Sequence, residues 1–200
     1  MLLIVDHYDS FSEMIADYCR AIMPECCMLK TDQINSTTLA EINPSHIIIG
    51  PGPGHPSDNE LVASKELIRQ AIKQNTPILG ICLGHQLIAE IYGAKIVTAK
   101  QICHGIISTI THKQNSAIFD KLPLSFEVTR YHSLLVENTS MINCEIVISA
   151  TTACGEIMAI HHPKLPVYGI QFHPESITTQ YGKQLLANFL EVIVPVDPHP

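Results

Sequence analysis

The sequence predicts an α/β fold: an open, mostly parallel sheet with helices on both faces, flavodoxin-like, plus a small, partly antiparallel region. Two observations lead there. Short apolar runs of strand length alternate with segments of helical periodicity, the signature of strands joined by crossover helices. Several of those runs also stop at Gly- or Cys-containing turns, where open α/β sheets place their sites.

Leu2–Val5 reads as the first strand. Ser10-Phe11-Ser12-Glu13 has the form of a capping box and predicts a helix reaching about Met23. His46–Ile49 is a strand of the fully buried type, ended by Pro51 and its glycines. A second capping box, Ser57-Asp58-Asn59-Glu60, predicts a helix with Leu61, Lys65, Ile68 and Ile72 near one face. Pro77–Ile81 is the next strand and His85–Tyr92 the next helix.

From Lys95 to about Ile160 the runs shorten. Gly105–Ile110, Phe126–Thr129 and Glu145–Ala150 read as partly antiparallel strands at a sheet edge or over the site. Val167–Phe172 is a strand. Tyr181, Leu185, Leu186, Phe189, Leu190 and Ile193 then recur at helical spacing. One domain is expected over residues 1–194, with a frayed Pro-rich tail at 195–200.

Composition narrows the function classes. The 200 residues suffice to bury a full core, and 46% apolar with 16% charged residues is ordinary for a globular chain. A net charge of −7 with scattered Lys and Arg argues against nucleic-acid and anionic-membrane partners. The apolar run at Met1–Val5 is short and lacks a basic lead-in, and no run reaches the ~18–20 residues of a membrane span, so the expected location is cytoplasmic. The seven cysteines are odd in number and form no C-x-x-C pair, which argues against a disulfide framework or zinc ribbon.

The chemistry starts at Gly80-Ile81-Cys82-Leu83-Gly84. A buried strand that ends in Gly-x-Cys-x-Gly and enters a helix at once has the form of a nucleophile elbow. Such a turn lifts the sulfur out of the sheet toward the positive end of a helix dipole, which favours an anionic nucleophile. The peptide N–H of Leu83 would face a developing oxyanion. Alone, the pattern also fits a small buried residue ending a strand.

A base candidate follows a second strand, in Gly169-Ile170-Gln171-Phe172-His173-Pro174-Glu175-Ser176. A carboxylate at Glu175 beside an imidazole at His173 supplies the orienting third member of a nucleophile–base–orienter set. The stiff Gly50-Pro51-Gly52-Pro53-Gly54-His55-Pro56 loop after a third strand can bring peptide N–H groups close to a ligand. No Gly-Lys-Ser/Thr follows it, so a phosphate loop is disfavoured.

Together these segments resemble the class I (triad) glutamine amidotransferases, along essentially the whole chain. Gly80–Gln86 matches the family's nucleophile motif and Gly169–Ser176 its His/Glu motif. Asp6-His7-Tyr8-Asp9-Ser10-Phe11 and Arg130-Tyr131-His132-Ser133-Leu134 are similar to the glutamine subunits of anthranilate synthase and aminodeoxychorismate (para-aminobenzoate) synthase. By that resemblance Cys82 would be nucleophile, His173 base and Glu175 orienter. Gly54 and Leu83 would form the oxyanion hole, and Gly52, Pro53, Gly54, Gln86, Ser133 and Leu134 would bind glutamine.

The resemblance further implies a protein partner, the chorismate-binding synthase subunit, with Mg²⁺ bound there and no metal or organic cofactor in this chain. Val128–Leu134 and Gln184–Leu190 look more like the para-aminobenzoate branch, with anthranilate synthase, or one chain serving both, as the alternative. His7, Gly50 and Ile106 depart from the usual Asn, Ser and Lys of the family; the last touches partner contact rather than the triad. Two other classes remain open. One is a cysteine hydrolase of γ-glutamyl compounds. The other is a metal-binding module, disfavoured because His161-His162, Cys26-Cys27 and Cys103-His104 are adjacent pairs that would point to opposite faces of a strand.

Overall fold

The computed structural model describes residues 1–193. The expected Pro-rich tail, 195–200, lies outside them, as does residue 194. Nine strands form one sheet. Its parallel half runs, edge inward, β2 (Cys26–Lys30), β1 (Leu2–Asp6), β3 (His46–Ile49), β4 (Ile78–Ile81) and β11 (Val167–Ile170). The order 2-1-3-4 is the flavodoxin-like winding, with strand ends open on one side for a site.

The antiparallel strands continue the same sheet: β10 (Ile157–His161), β9 (Val147–Thr152), β6 (Ile106–His112) and β7 (Ser125–Arg130). A separate two-stranded ribbon pairs β5 (Ile96–Thr98) with β8 (Leu134–Val136). The strands expected around Gly105–Ile110, Phe126–Thr129 and Glu145–Ala150 are β6, β7 and β9, all at the antiparallel edge of the large sheet.

Period-2 alternation sorts the parallel strands between two cores. Leu2, Ile4, Ile48, Leu79 and Ile81 face α1 (Ser12–Arg20) and α5 (Gly182–Leu190), with Ile15 and Phe189 buried among them. Leu3, Val5, Ile47, Ile49 and Ile78 face α2 (Thr38–Ile42), α3 (Val62–Lys73) and α4 (Leu83–Ile91), contacting Leu39, Ile68 and Leu87. Burial on both faces is why these strands read as unbroken apolar runs.

Both predicted capping boxes are absent. Ser10 is exposed and α1 opens at Ser12 with no side-chain cap. Asp6 and Asp9 take the free groups instead: Asp6 Oδ1 accepts from Asp9 N–H (3.0 Å) and Ser12 Oγ–H (2.7 Å), and Asp9 Oδ1 from Phe11 N–H (2.8 Å). A buried carboxylate at a strand end outcompetes a serine hydroxyl, because ionised acceptors make the stronger bonds. The helix stops at Arg20 rather than Met23, ahead of Pro24.

At the second box, Ser57 Oγ–H donates to Glu90 and Asp58 Oδ2 accepts from His55 N–H (2.7 Å). A 3-10 turn at Asn59–Leu61 then leads into α3. The last helix begins at Gly182, after Tyr181 in a left-handed conformation, and ends at Leu190, short of Ile193. The edge strand β2 and the five-residue α2 had no sequence counterpart, nor were the ribbon strands β5 and β8 or the inner strand β10 individually foreseen. Among the described residues no helix is long and apolar enough to cross a membrane.

Candidate active site

Cys82 is the single residue between β4 and α4, with φ 53° and ψ −99°. An L-residue is rarely held there, and the strain is maintained by the packing around it. That packing needs glycine. A Cβ on Gly80 would overlap the backbone of Gly84, and one on Gly84 would overlap the Ile49 carbonyl of β3. The first turn of α4 therefore lies directly on β3 and β4. Cys82 N–H donates to Ile170 O (2.9 Å) and its carbonyl accepts from Gln86 N–H (3.2 Å). Leu83 N–H belongs to the first helical turn, whose amides have no intrahelical acceptor.

His173 follows β11, the neighbour of β4. Its N–H donates to Thr129 O (3.1 Å) and its carbonyl accepts from Thr179 Oγ1–H (2.6 Å), fixing the loop. Nδ1–H donates to Glu175 Oε1 at 2.6 Å, and both side chains are almost wholly inaccessible. Phe11 and Tyr131 pack edge-to-face with the imidazole, with centroids 5.6 and 5.2 Å away. Burial opposes the imidazolium, yet the nearby Cys82 sulfur and the hydrogen bond and charge of Glu175 outweigh it and raise its pKa. The arrangement therefore favours a proton held on His173 by the Glu175 carboxylate, with Nε2 buried and free of any hydrogen-bond partner among the described residues.

Beside Cys82 lies a cavity of about 160 Å³. All six expected glutamine contacts, Gly52, Pro53, Gly54, Gln86, Ser133 and Leu134, line it with Leu83, Tyr131 and His132. Three segments distant in sequence thus converge on one sulfur. A larger hollow, about 790 Å³ beside α5, contains none of these groups, so size does not mark the site. Among the described residues no cluster of three or more His, Cys, Asp and Glu side chains is arranged to hold a metal.

Several participants had no role in the sequence reading. Gln171 Nε2–H points at Cys82 Sγ (3.6 Å), and Gln171 Oε1 accepts from Gln86 Nε2–H (3.1 Å). Gln171 lies within the His/Glu segment, so its place in that run was the available signal. Phe11 and Tyr131 also sit in quoted segments, but their packing on His173 depends on tertiary contacts.

The departures are accommodated. His7 is buried under the Gly52 turn. Its Nδ1–H donates to Gly50 O (3.2 Å), and its Nε2 accepts from Ser64 Oγ–H (3.0 Å). Burial pushes its pKa down to about 4 despite Gly50 and Asp6, so it is a neutral strut. Gly50 closes against β1, where a Cβ would crowd the Val5 carbonyl. Ile106 starts β6, partly exposed and paired with Arg130.

The model of the family described as glutamine amidotransferase class-I matches residues 3–193. The chain is 40% identical over 191 residues to an aminodeoxychorismate/anthranilate synthase component 2 from Bacillus subtilis (strain 168), covering 96% of each. It is 42% identical over 192 residues to an anthranilate synthase component 2 from Pyropia yezoensis, covering 96% of this chain and 99% of that one. Among solved structures, a protein assigned to GMP synthase from Thermoplasma acidophilum superposes with a TM-score of 0.82. The identity there is 26%, with 94% of this chain and 91% of the other covered.

Proposed function

The chain belongs to the class I glutamine amidotransferases, and on that premise we propose that Cys82, His173 and Glu175 hydrolyse L-glutamine to supply ammonia to a chorismate-aminating partner subunit. The observation that carries the assignment is the strained Cys82 beside the buried His173–Glu175 pair, opening onto a cavity walled by all six expected glutamine contacts.

In the proposed reaction the Cys82 thiolate attacks the side-chain amide carbon of glutamine, and the peptide N–H groups of Gly54 and Leu83 take the oxyanion. His173 gives its proton to the departing nitrogen as the C–N bond breaks, leaving a glutamyl thioester and ammonia. Water then attacks the thioester, His173 takes a proton from it, and the C–S bond breaks to release glutamate. Glu175 keeps the imidazole in one orientation and supports its charge in both steps. Nothing in this sequence calls for a metal or organic cofactor in the chain, and Mg²⁺ is assigned to the partner.

Relatives named for both chorismate-using synthases support the partner class. Within it our reading favours aminodeoxychorismate synthase, on the segments Val128–Leu134 and Gln184–Leu190. Anthranilate synthase, or service to both, is the alternative that the shared naming favours. The cytoplasm is the proposed location.

The test mixes the chain with candidate chorismate-binding subunits, chorismate and Mg²⁺ and identifies the glutamine-dependent product. Cys82→Ala is expected to abolish synthesis from glutamine while synthesis from added ammonia survives. Glutamine-dependent synthesis persisting in that variant would remove Cys82 as nucleophile. Aminodeoxychorismate as product supports our branch; anthranilate alone would overturn it.

A further inference from the structure

One part of the wall of the cavity beside Cys82 is the segment 132–134, and its backbone is pinned from several sides. Ala99 N–H donates to Ser133 O (2.8 Å) and Cys103 N–H to His132 O (3.0 Å). The Leu134 carbonyl accepts two bonds, one from Gln86 Nε2–H (3.2 Å) and one from the His132 ring at Nδ1 (3.0 Å).

His132 can donate at Nδ1 in its neutral form only if Nε2 is bare. A buried guanidinium secures that. Arg130 Nε–H donates to His132 Nε2 at 3.1 Å, and arginine has no acceptor to offer, so Nε2 must be the lone-pair nitrogen. Arg130 is itself clamped: its two terminal nitrogens donate to Glu156 Oε2 (2.6 Å) and Ser108 Oγ (3.2 Å). Its side chain is 6% exposed and that of Glu156 20%.

We infer that Arg130, held by Glu156, is a positioning residue for glutamine binding, which locks His132 in its Nδ1–H tautomer and thereby sets the Ser133–Leu134 wall of the cavity. The inference rests on the glutaminase reading of that cavity and assigns Arg130 no contact with substrate. Burial and the neighbouring Arg130 charge keep His132 neutral, its pKa pushed down to about 3. The other titratable groups acting on it are His85 of α4 and His173, while Glu156 reaches it only through Arg130. The bonds continue without a break from Leu134 O through Gln86 and Gln171 to Cys82 Sγ. A charge pair in the antiparallel half of the sheet is therefore tied to the nucleophile in the parallel half.

Two measurements test this on the full chain. In the unmodified protein, ring ¹⁵N shifts of His132 are expected to show a protonated Nδ1 and a bare Nε2 across neutral pH. An Nε2–H tautomer or an imidazolium there would overturn the inference, with no substitution involved. The second measurement uses the Arg130→Met, Glu156→Gln double variant, which leaves no unpaired buried charge. It should gain an Nε2–H population at His132 and raise KM for glutamine about tenfold, the scale of one lost hydrogen bond, with kcat within about twofold. Alkylation of Cys82 by iodoacetamide, which needs no glutamine, should continue at the parent rate. An unchanged KM, or kcat falling as far as KM rises, would contradict a positioning role. Failure of the glutaminase reading would look different: the unmodified chain would release no Cys82-dependent glutamate, whatever the tautomer.

Discussion

The two halves of the sheet are built to different rules. In the parallel half β1, β3, β4 and β11 are buried along their whole length, with helices on both faces. In the antiparallel half the inner strand β10 is still buried throughout, but toward the edge β6 and β7 mix exposed and buried positions and are partly wet. The covered half carries Cys82, His173 and the Gly52-Pro53-Gly54 loop at its strand ends. The half-wet one carries the Arg130–Glu156 pair and, just beyond β7, the cavity wall. A strained nucleophile needs a platform that moves little, and double-sided packing supplies it. A charge pair is tolerated better where one face meets water. Changes in the first half should therefore act on bond-making steps and folding, and changes in the second on substrate binding.

The largest expected effect strains both halves together. His7 and His85 lie in the parallel half and His132 beside the antiparallel one. Burial lowers their pKa values to about 4, 4 and 3. The unfolded chain takes up these protons near pH 6.5 and the fold does not, so stability is intact above pH 6.5 and lost as pH falls toward 4. Each histidine contributes about 2 kcal/mol of loss by about pH 5, which denaturant midpoints measured across pH would register. His173 titrates in the opposite sense: its raised pKa adds stability that is full below pH 6.5 and fades as pH rises. A midpoint that stayed flat from pH 7 to 5 would contradict the neutral, buried assignment.

Next in size, Glu175→Gln is expected to lower kcat about 10³-fold with KM changed little, since the amide cannot support the imidazolium. Steady-state glutamate release checks it. A change in KM instead would blur the division between the halves. The smallest effect is expected from His7→Asn, which places the family's usual residue beneath the Gly52 turn. A shorter donor facing Gly50 O should change stability by less than about 1 kcal/mol and kcat/KM by less than about threefold, as read by thermal denaturation and initial rates.

The parallel half was also the more legible. Leu2–Val5, His46–Ile49, Pro77–Ile81 and Val167–Phe172 announce themselves because a strand covered on both faces is apolar at every position. The edge strand β2 does not, since Cys26–Lys30 is only partly buried and its pattern is weak. The two false capping boxes failed for a shared reason. Asp6, Asp9 and Asp58 are stronger local acceptors than the serines, and Glu90, distant in sequence, claims Ser57. At the site, Cys82, His173 and Glu175 were readable because each sits at a strand end in a turn of restricted composition. Arg130 and Glu156 were not assigned. A buried ion pair between β7 and the turn before β10 exists only once the sheet has formed, and no local pattern encodes it.

The proposed chemistry turns on a covalent bond between Cys82 and the glutamyl group. Mixing the protein with glutamine, quenching in acid within the first turnovers and mapping peptides by mass spectrometry tests it directly. A glutamyl adduct is expected on the peptide bearing Cys82, absent when glutamate replaces glutamine. Steady glutamine hydrolysis by the Cys82→Ala variant, with no adduct on the parent, would contradict it.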